Sequence, residues 1–204
     1  MAKGQENLFG YTEEEKKNDT VSLSIVGSSR ANGKRSKGDF YPTSRYAVEE
    51  LLAREKFEGE IWECACGKGD ISEVLIEYGY NVYSSDLFDR GYGDKHIDFL
   101  KTHRKTENII TNPPFKYALD FVKHSKRLAN KKIALLLKTV FLEGQSRYGM
   151  FQDKEFPLKT LYQFSKRIDM VKNGEGTGGK GMLAFAWFVW DREYTGEPII
   201  KWIK

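Results

Sequence analysis

The chain has 204 residues, 40% hydrophobic, 30% charged and 14% aromatic. That suits one well-packed core and excludes a disordered chain, and no apolar run is long enough to span a bilayer. The net charge of +4 is compatible with a nucleic-acid partner without pointing to one.

Residues 1–38 read as a flexible basic arm. It holds one short alternating run, Val21–Val26, and then a Gly/Ser/Asn-rich stretch with Arg30, Lys34 and Arg35 suited to phosphate contact. The arm has no apolar signal segment, and a cytoplasmic location is expected. A single domain over 39–204 follows. Apolar spacing predicts a helix over 43–54 and a strand at Ile61–Glu63. A glycine turn over 64–70 leads into a helix over 71–78 closed by Gly79. Strands are expected over 81–85, ending at Asp86, and over 108–111, ending at Asn112-Pro113-Pro114-Phe115. A helix over about 116–129 and an all-apolar strand over 133–137 complete the alternation. Residues 143–181 form a polar, basic insertion containing a strand at 160–164 and a glycine-rich hairpin loop at 174–181. The aromatic run 182–190 is expected to be a central strand antiparallel to 160–164, and a last strand covers 198–203. Strand–helix alternation, with chemistry-bearing residues at strand ends, predicts a doubly wound, mostly parallel α/β sheet whose ligand crevice lies at the carboxyl ends of the strands.

Three groups of residues carry the chemistry. Gly67 and Gly69 let backbone approach a ligand where a strand feeds a helix N-terminus. The pattern lacks the third glycine of a dinucleotide fingerprint and the Gly-Lys-Ser/Thr of a phosphate loop. Asp86, 19 residues past Gly67, is placed to accept ribose hydroxyls. Asn112–Phe115 offers an acceptor oxygen, two prolines that stiffen the backbone, and an aromatic face. Cys64 and Cys66, one residue apart, exclude a disulfide framework; they read as packing residues, and no metal site is expected.

In this order the residues resemble the S-adenosylmethionine-dependent N6-adenine DNA methyltransferases of bacteria and phages. Asn112–Phe115 matches their Asn-Pro-Pro-aromatic signature. The resemblance implies a seven-stranded Rossmann-like fold of the class I methyltransferases with an antiparallel edge strand. It implies S-adenosylmethionine as cofactor and DNA as partner. Cofactor contacts are then expected from Tyr41, Pro42 and Thr43, from Glu63, Cys64, Ala65, Gly67 and Gly69 around the turn, from Asp86 and Leu87, and from Asp98 and Phe99 near the cofactor adenine. Asn112 and the Pro113 carbonyl would accept the two amino hydrogens of a flipped-out adenine, with Pro114 stiffening the motif and Phe115 stacking on the base. Lys101, Arg104, Lys116, Arg147 and Arg167 are further candidates for phosphate contact. The short insertion leaves no large target-recognition domain, so a short or degenerate recognition site is expected. RNA adenine and protein glutamine are the competing acceptors, and a catalytically silent binding module is the competing class.

Overall fold

The structure, a computed structural model, describes residues 41–168 and 183–204. The strand expected at 21–26, Arg30, Lys34, Arg35 and the hairpin at 174–181 lie outside the described residues.

Seven strands form one sheet in the order β2-β1-β3-β4-β6-β5-β7. They are β1 (Ile61–Glu63), β2 (Val82–Ser84), β3 (Thr106–Thr111), β4 (Ala129–Lys138), β5 (Leu158–Phe164), β6 (Phe185–Asp191) and β7 (Ile199–Ile203). The pairs β1–β2, β1–β3, β3–β4 and β5–β7 are parallel. Strand β6 runs antiparallel to both β4 and β5. The antiparallel strand therefore sits third from the edge, with β5 and β7 outside it. Its burial on both faces explains the unbroken apolar run Phe185–Trp190.

Helices α1 (Arg45–Leu52) and α2 (Asp70–Glu77) cover one face, and α3 (Ala118–Leu128) covers the other. Ser44 caps α1, its side chain accepting from the Ala47 amide. Helix α1 buries Ala47, Val48, Leu51 and Leu52, and Trp187 Nε1 donates to the Ala47 carbonyl across the interface. On the far face Phe99, Phe121 and Leu128 pack against Trp62, Ile109 and Leu135.

The stretch from 143 reads as polar in sequence, yet its first half belongs to the core. A short helix α4 (Gln145–Phe151) buries Met150, and β5 lies between β6 and β7. Helix α3 is shorter than expected because Phe115–Tyr117 form a 3-10 turn before it. Strand β4 begins directly at Ala129, earlier than its apolar run, since Lys131 and Lys132 lie half-buried along it.

Candidate active site

Two strand ends define the site. Strand β1 runs into the turn 64–69, where Gly67 (φ 59°) and Gly69 (φ 94°) adopt left-handed backbone that glycine alone tolerates easily. Gly69 is the N-cap of α2 and supplies no side chain to cap it. Asp86, just past β2 and 7% exposed, ties this turn down. Its Oδ2 accepts from the Gly67 amide at 2.9 Å and its Oδ1 from the Phe88 amide at 2.8 Å. Each carboxylate oxygen keeps further acceptor capacity.

Beneath the turn, Glu63 is fully enclosed. The Ser72 hydroxyl donates to Glu63 Oε2, and Ser72 and Ser84 hydroxyls lie 2.6 Å apart. Burial pushes the Glu63 carboxyl up to about 8, against the opposing pull of the Ser72 bond. Cys64 is buried and Cys66 Sγ lies 3.6 Å from the Tyr92 carbonyl, so both thiols pack. Burial drives the Cys64 thiol well above its ordinary range and makes it an unreactive one. Among the described residues no group of three or more His, Cys, Asp or Glu is placed to hold a metal ion.

The second strand end is β3, which delivers Asn112. Its Nδ2 donates to the Tyr41 carbonyl at 3.2 Å and to Thr43 Oγ1 at 3.1 Å. A carbonyl can only accept, so the amide orientation is fixed by its partner. The other end of the amide, Oδ1, is buried and has no hydrogen-bond partner among the described residues. The neighbouring Phe115 ring is half-buried, 5.3 Å from the Tyr41 ring and 5.5 Å from the Phe185 ring. Lys138, at the carboxyl end of β4, places its Nζ 4.3 Å from the Phe115 centroid. Sequence reasoning missed Lys138 and Phe185; the usable signal was their position where β4 ends and its partner β6 begins.

Several expected contacts are placed elsewhere. Phe99 is 3% exposed, wedged between Trp62, Phe121 and His124, and has no open face for a ligand. Asp98 caps the 3-10 turn Phe99–Lys101, accepting from the Leu100 amide at 3.1 Å, and pairs with Lys101 at 3.1 Å. The space beside Gly69 is filled by the Tyr92 ring, 2.6 Å from where a Cβ would stand. Leu87 is exposed, while Tyr41, Pro42 and Ala65 are half-buried and Thr43 is buried.

The expected basic groove is corrected at three residues. Arg104 holds Glu60 through two hydrogen bonds at 2.7 and 2.9 Å and lies over the Tyr83 ring at 4.1 Å. Glu60 precedes β1 and Thr106 opens β3, so Arg104 stands at the amino edge of the sheet, opposite Asn112. Lys101, in the same loop, belongs to that side as well. Arg147 is 7% exposed and folded against the Phe141 ring at 5.2 Å, so it is a packed side chain and no surface cation. Lys116, next to the Asn-Pro-Pro-Phe element, and Arg167, after β5, are exposed at the carboxyl edge.

No family model matches the chain, and no curated protein matches it in sequence. Solved structures do share its fold. A modification subunit assigned to a type I restriction enzyme from Vibrio vulnificus is 14% identical, with a TM-score of 0.58 over 93% of this chain and 51% of that one. The chain thus spans about half the length of that subunit. A protein assigned as an RNA methyltransferase from Pyrococcus horikoshii is 12% identical, with a TM-score of 0.58 over 88% of this chain and 98% of that one. A magnesium protoporphyrin IX methyltransferase from Synechocystis, solved with bound S-adenosylmethionine, is 13% identical, with a TM-score of 0.50 over 94% and 87%. At these identities the likeness is one of fold, the Rossmann-like fold of class I methyltransferases, and a fold does not name a substrate.

Proposed function

We propose that this chain is an S-adenosylmethionine-dependent methyltransferase whose acceptor is the N6 amino group of adenine in DNA. The observation that carries the reading is the Asn112 amide, oriented by Tyr41 and Thr43, with a buried Oδ1 that has no partner among the described residues. A buried acceptor without a donor is costly, and a substrate N–H offsets that cost.

The residues fit the cofactor. Gly67 keeps a side chain away from the turn, the α2 N-terminus has no side-chain cap among the described residues, and Asp86 has acceptor capacity for hydroxyls beside its two amide bonds. When bound, S-adenosylmethionine supplies a methyl group on a sulfonium, which departs as a neutral thioether. Asn112 Oδ1 accepts one hydrogen of the target amine and the Pro113 carbonyl the other, so the nitrogen becomes pyramidal and its lone pair leaves conjugation with the ring and faces the methyl. No base is required before transfer, because the surplus proton is acidic once the new bond forms. The rate then comes from alignment and from dipoles fixed in advance.

Phe115 gives the base a flat surface, and Tyr41 and Phe185 hold its ring in place. Lys116, Lys138, Lys166 and Arg167, all at the carboxyl edge, supply charge for a strand from which the base has been flipped. Aromatic surface beside cations favours a nucleobase over a glutamine side chain, and the order of elements around Asn112–Phe115 favours DNA. The test is transfer of labelled methyl to duplex DNA, single-stranded DNA, RNA and a glutamine-bearing protein offered in parallel. Label on either DNA, located at N6 of adenine, is the expected result. Label on RNA or protein alone overturns the DNA reading.

A further inference from the structure

The run Lys101–Lys105 takes no part in the proposed transfer, because it stands at the wrong edge of the sheet. Helix α3 separates the two edges by about 16 Å, taking 1.5 Å per residue. At the amino edge the run forms one wall of a cleft of about 380 Å³, which includes the apolar side chains Leu100 and Leu128. The other lining groups all bear nitrogen: Lys101, His103, Lys105, His124 and Arg127. We propose that this cleft is a second, separate anion site that binds phosphate groups, carried either on a nucleic-acid backbone or on a free nucleotide.

Three features support the assignment. The first is uncompensated charge. Of Lys101, Lys105 and Arg127, only Lys101 pairs with a carboxylate, that of Asp98, among the described residues. The second is preorganisation. His124 Nε2 lies 3.0 Å from the Thr102 carbonyl and therefore donates to it, which leaves Nδ1 to accept from the Arg127 guanidinium at 2.6 Å. Burial lowers the imidazole pKa and keeps it in this neutral form. One nitrogen of the Arg127 guanidinium is thus fixed, and the remaining N–H groups of its fork are available to a phosphate.

The third concerns the helix end itself. Cations often gather at a helix C-terminus merely to balance its dipole. Here that balance is supplied by two residues: Lys105 Nζ donates to the Arg127 carbonyl, and Arg192 donates to the Lys126 carbonyl at 3.1 Å. Lys101 and His103 come from the preceding loop and are exposed, so their N–H groups are surplus to that need. The volume falls in the range of small-ligand sites, and the two leucines offer an apolar floor for a sugar or base.

The experiment measures binding of two probes by calorimetry: inorganic pyrophosphate, and a short oligothymidylate that has no adenine to methylate. The full chain is compared with Lys101→Glu/His103→Glu, two exposed positions whose change leaves the core untouched, and with Lys201→Glu on the exposed strand β7, outside the cleft. Reversal at 101 and 103 is expected to weaken binding at least tenfold, while Lys201→Glu leaves pyrophosphate affinity as it was. Loss of pyrophosphate binding identifies a free phosphate ligand; loss confined to the oligonucleotide identifies a backbone. Either supports the site. Binding of both probes equal to the unaltered chain, or of neither probe by the unaltered chain, overturns it. Neither probe reports methyl transfer, so this result is independent of the catalytic reading.

Discussion

Glu63 makes a sharp case for how burial sets stability. Its carboxyl is held at about 8 in the folded chain against an ordinary 4.5, and desolvation is the largest cause. The folded state therefore keeps a proton that the unfolded state gives up once pH exceeds 4.5. Stability must fall as pH rises through the window from 4.5 to about 8, and the loss is complete above it. At about 1.4 kcal/mol per pH unit the full window is worth at most about 5 kcal/mol, and at neutral pH about 3 kcal/mol. Glu63→Gln copies the protonated carboxyl: it cannot ionise, and its amide can donate to the Ser72 hydroxyl. Urea unfolding of both proteins at about pH 5 and about pH 8 tests the sign as well as the size. The two should be nearly equal in the acid, with the glutamine form more stable by several kcal/mol in the base. If the difference is independent of pH, Glu63 is not a proton-holding group and the argument from burial is wrong.

Three further outcomes follow from the same geometry. Asn112→Ala should reduce turnover by about 10² or more, since a preorganised acceptor is removed, while S-adenosylmethionine affinity is retained; a near-normal rate refutes the assigned role. Asp86→Ala releases the Gly67 amide and removes the hydroxyl acceptor, so calorimetry should show cofactor affinity lost in a folded protein; unchanged affinity excludes that contact. Gly69→Ala forces a side chain onto φ 94° and into the Tyr92 ring, and should cost about 1–3 kcal/mol of stability. Adding Tyr92→Ala should recover part of that loss, and a double variant no better than the single one means the ring contact is not its source.

What the sequence made legible, and what it hid, divides along physical lines. The strands expected over 108–111 and 182–190 were legible because each holds an apolar run close to glycines, prolines or polar breaks. Asn112–Phe115 stood out since two adjacent prolines after a strand have few local uses. The fate of Arg104 was hidden. Whether a basic loop faces the ligand edge depends on how the 3-10 turn Phe99–Lys101 carries the chain back across the sheet, and no local pattern encodes that. Phe99 was hidden similarly: an aromatic residue after an acid can face a ligand or the core, and here the α3 residues Phe121 and His124 draw it inward. Arg147 looked like surface charge because its helix is polar, but its guanidinium folds back over Phe141.

The placement of β6 has a consequence for how the chain emerges from a ribosome. Strand β4 ends at Lys138, and the strand that covers its free side does not begin until Phe185. Until then Ile133–Leu137, five buried apolar residues, presents an open strand edge. Such an edge is a template for pairing with another nascent chain. Cover for this edge waits on β6, and the interval before its synthesis is when the open strand is exposed to such pairing.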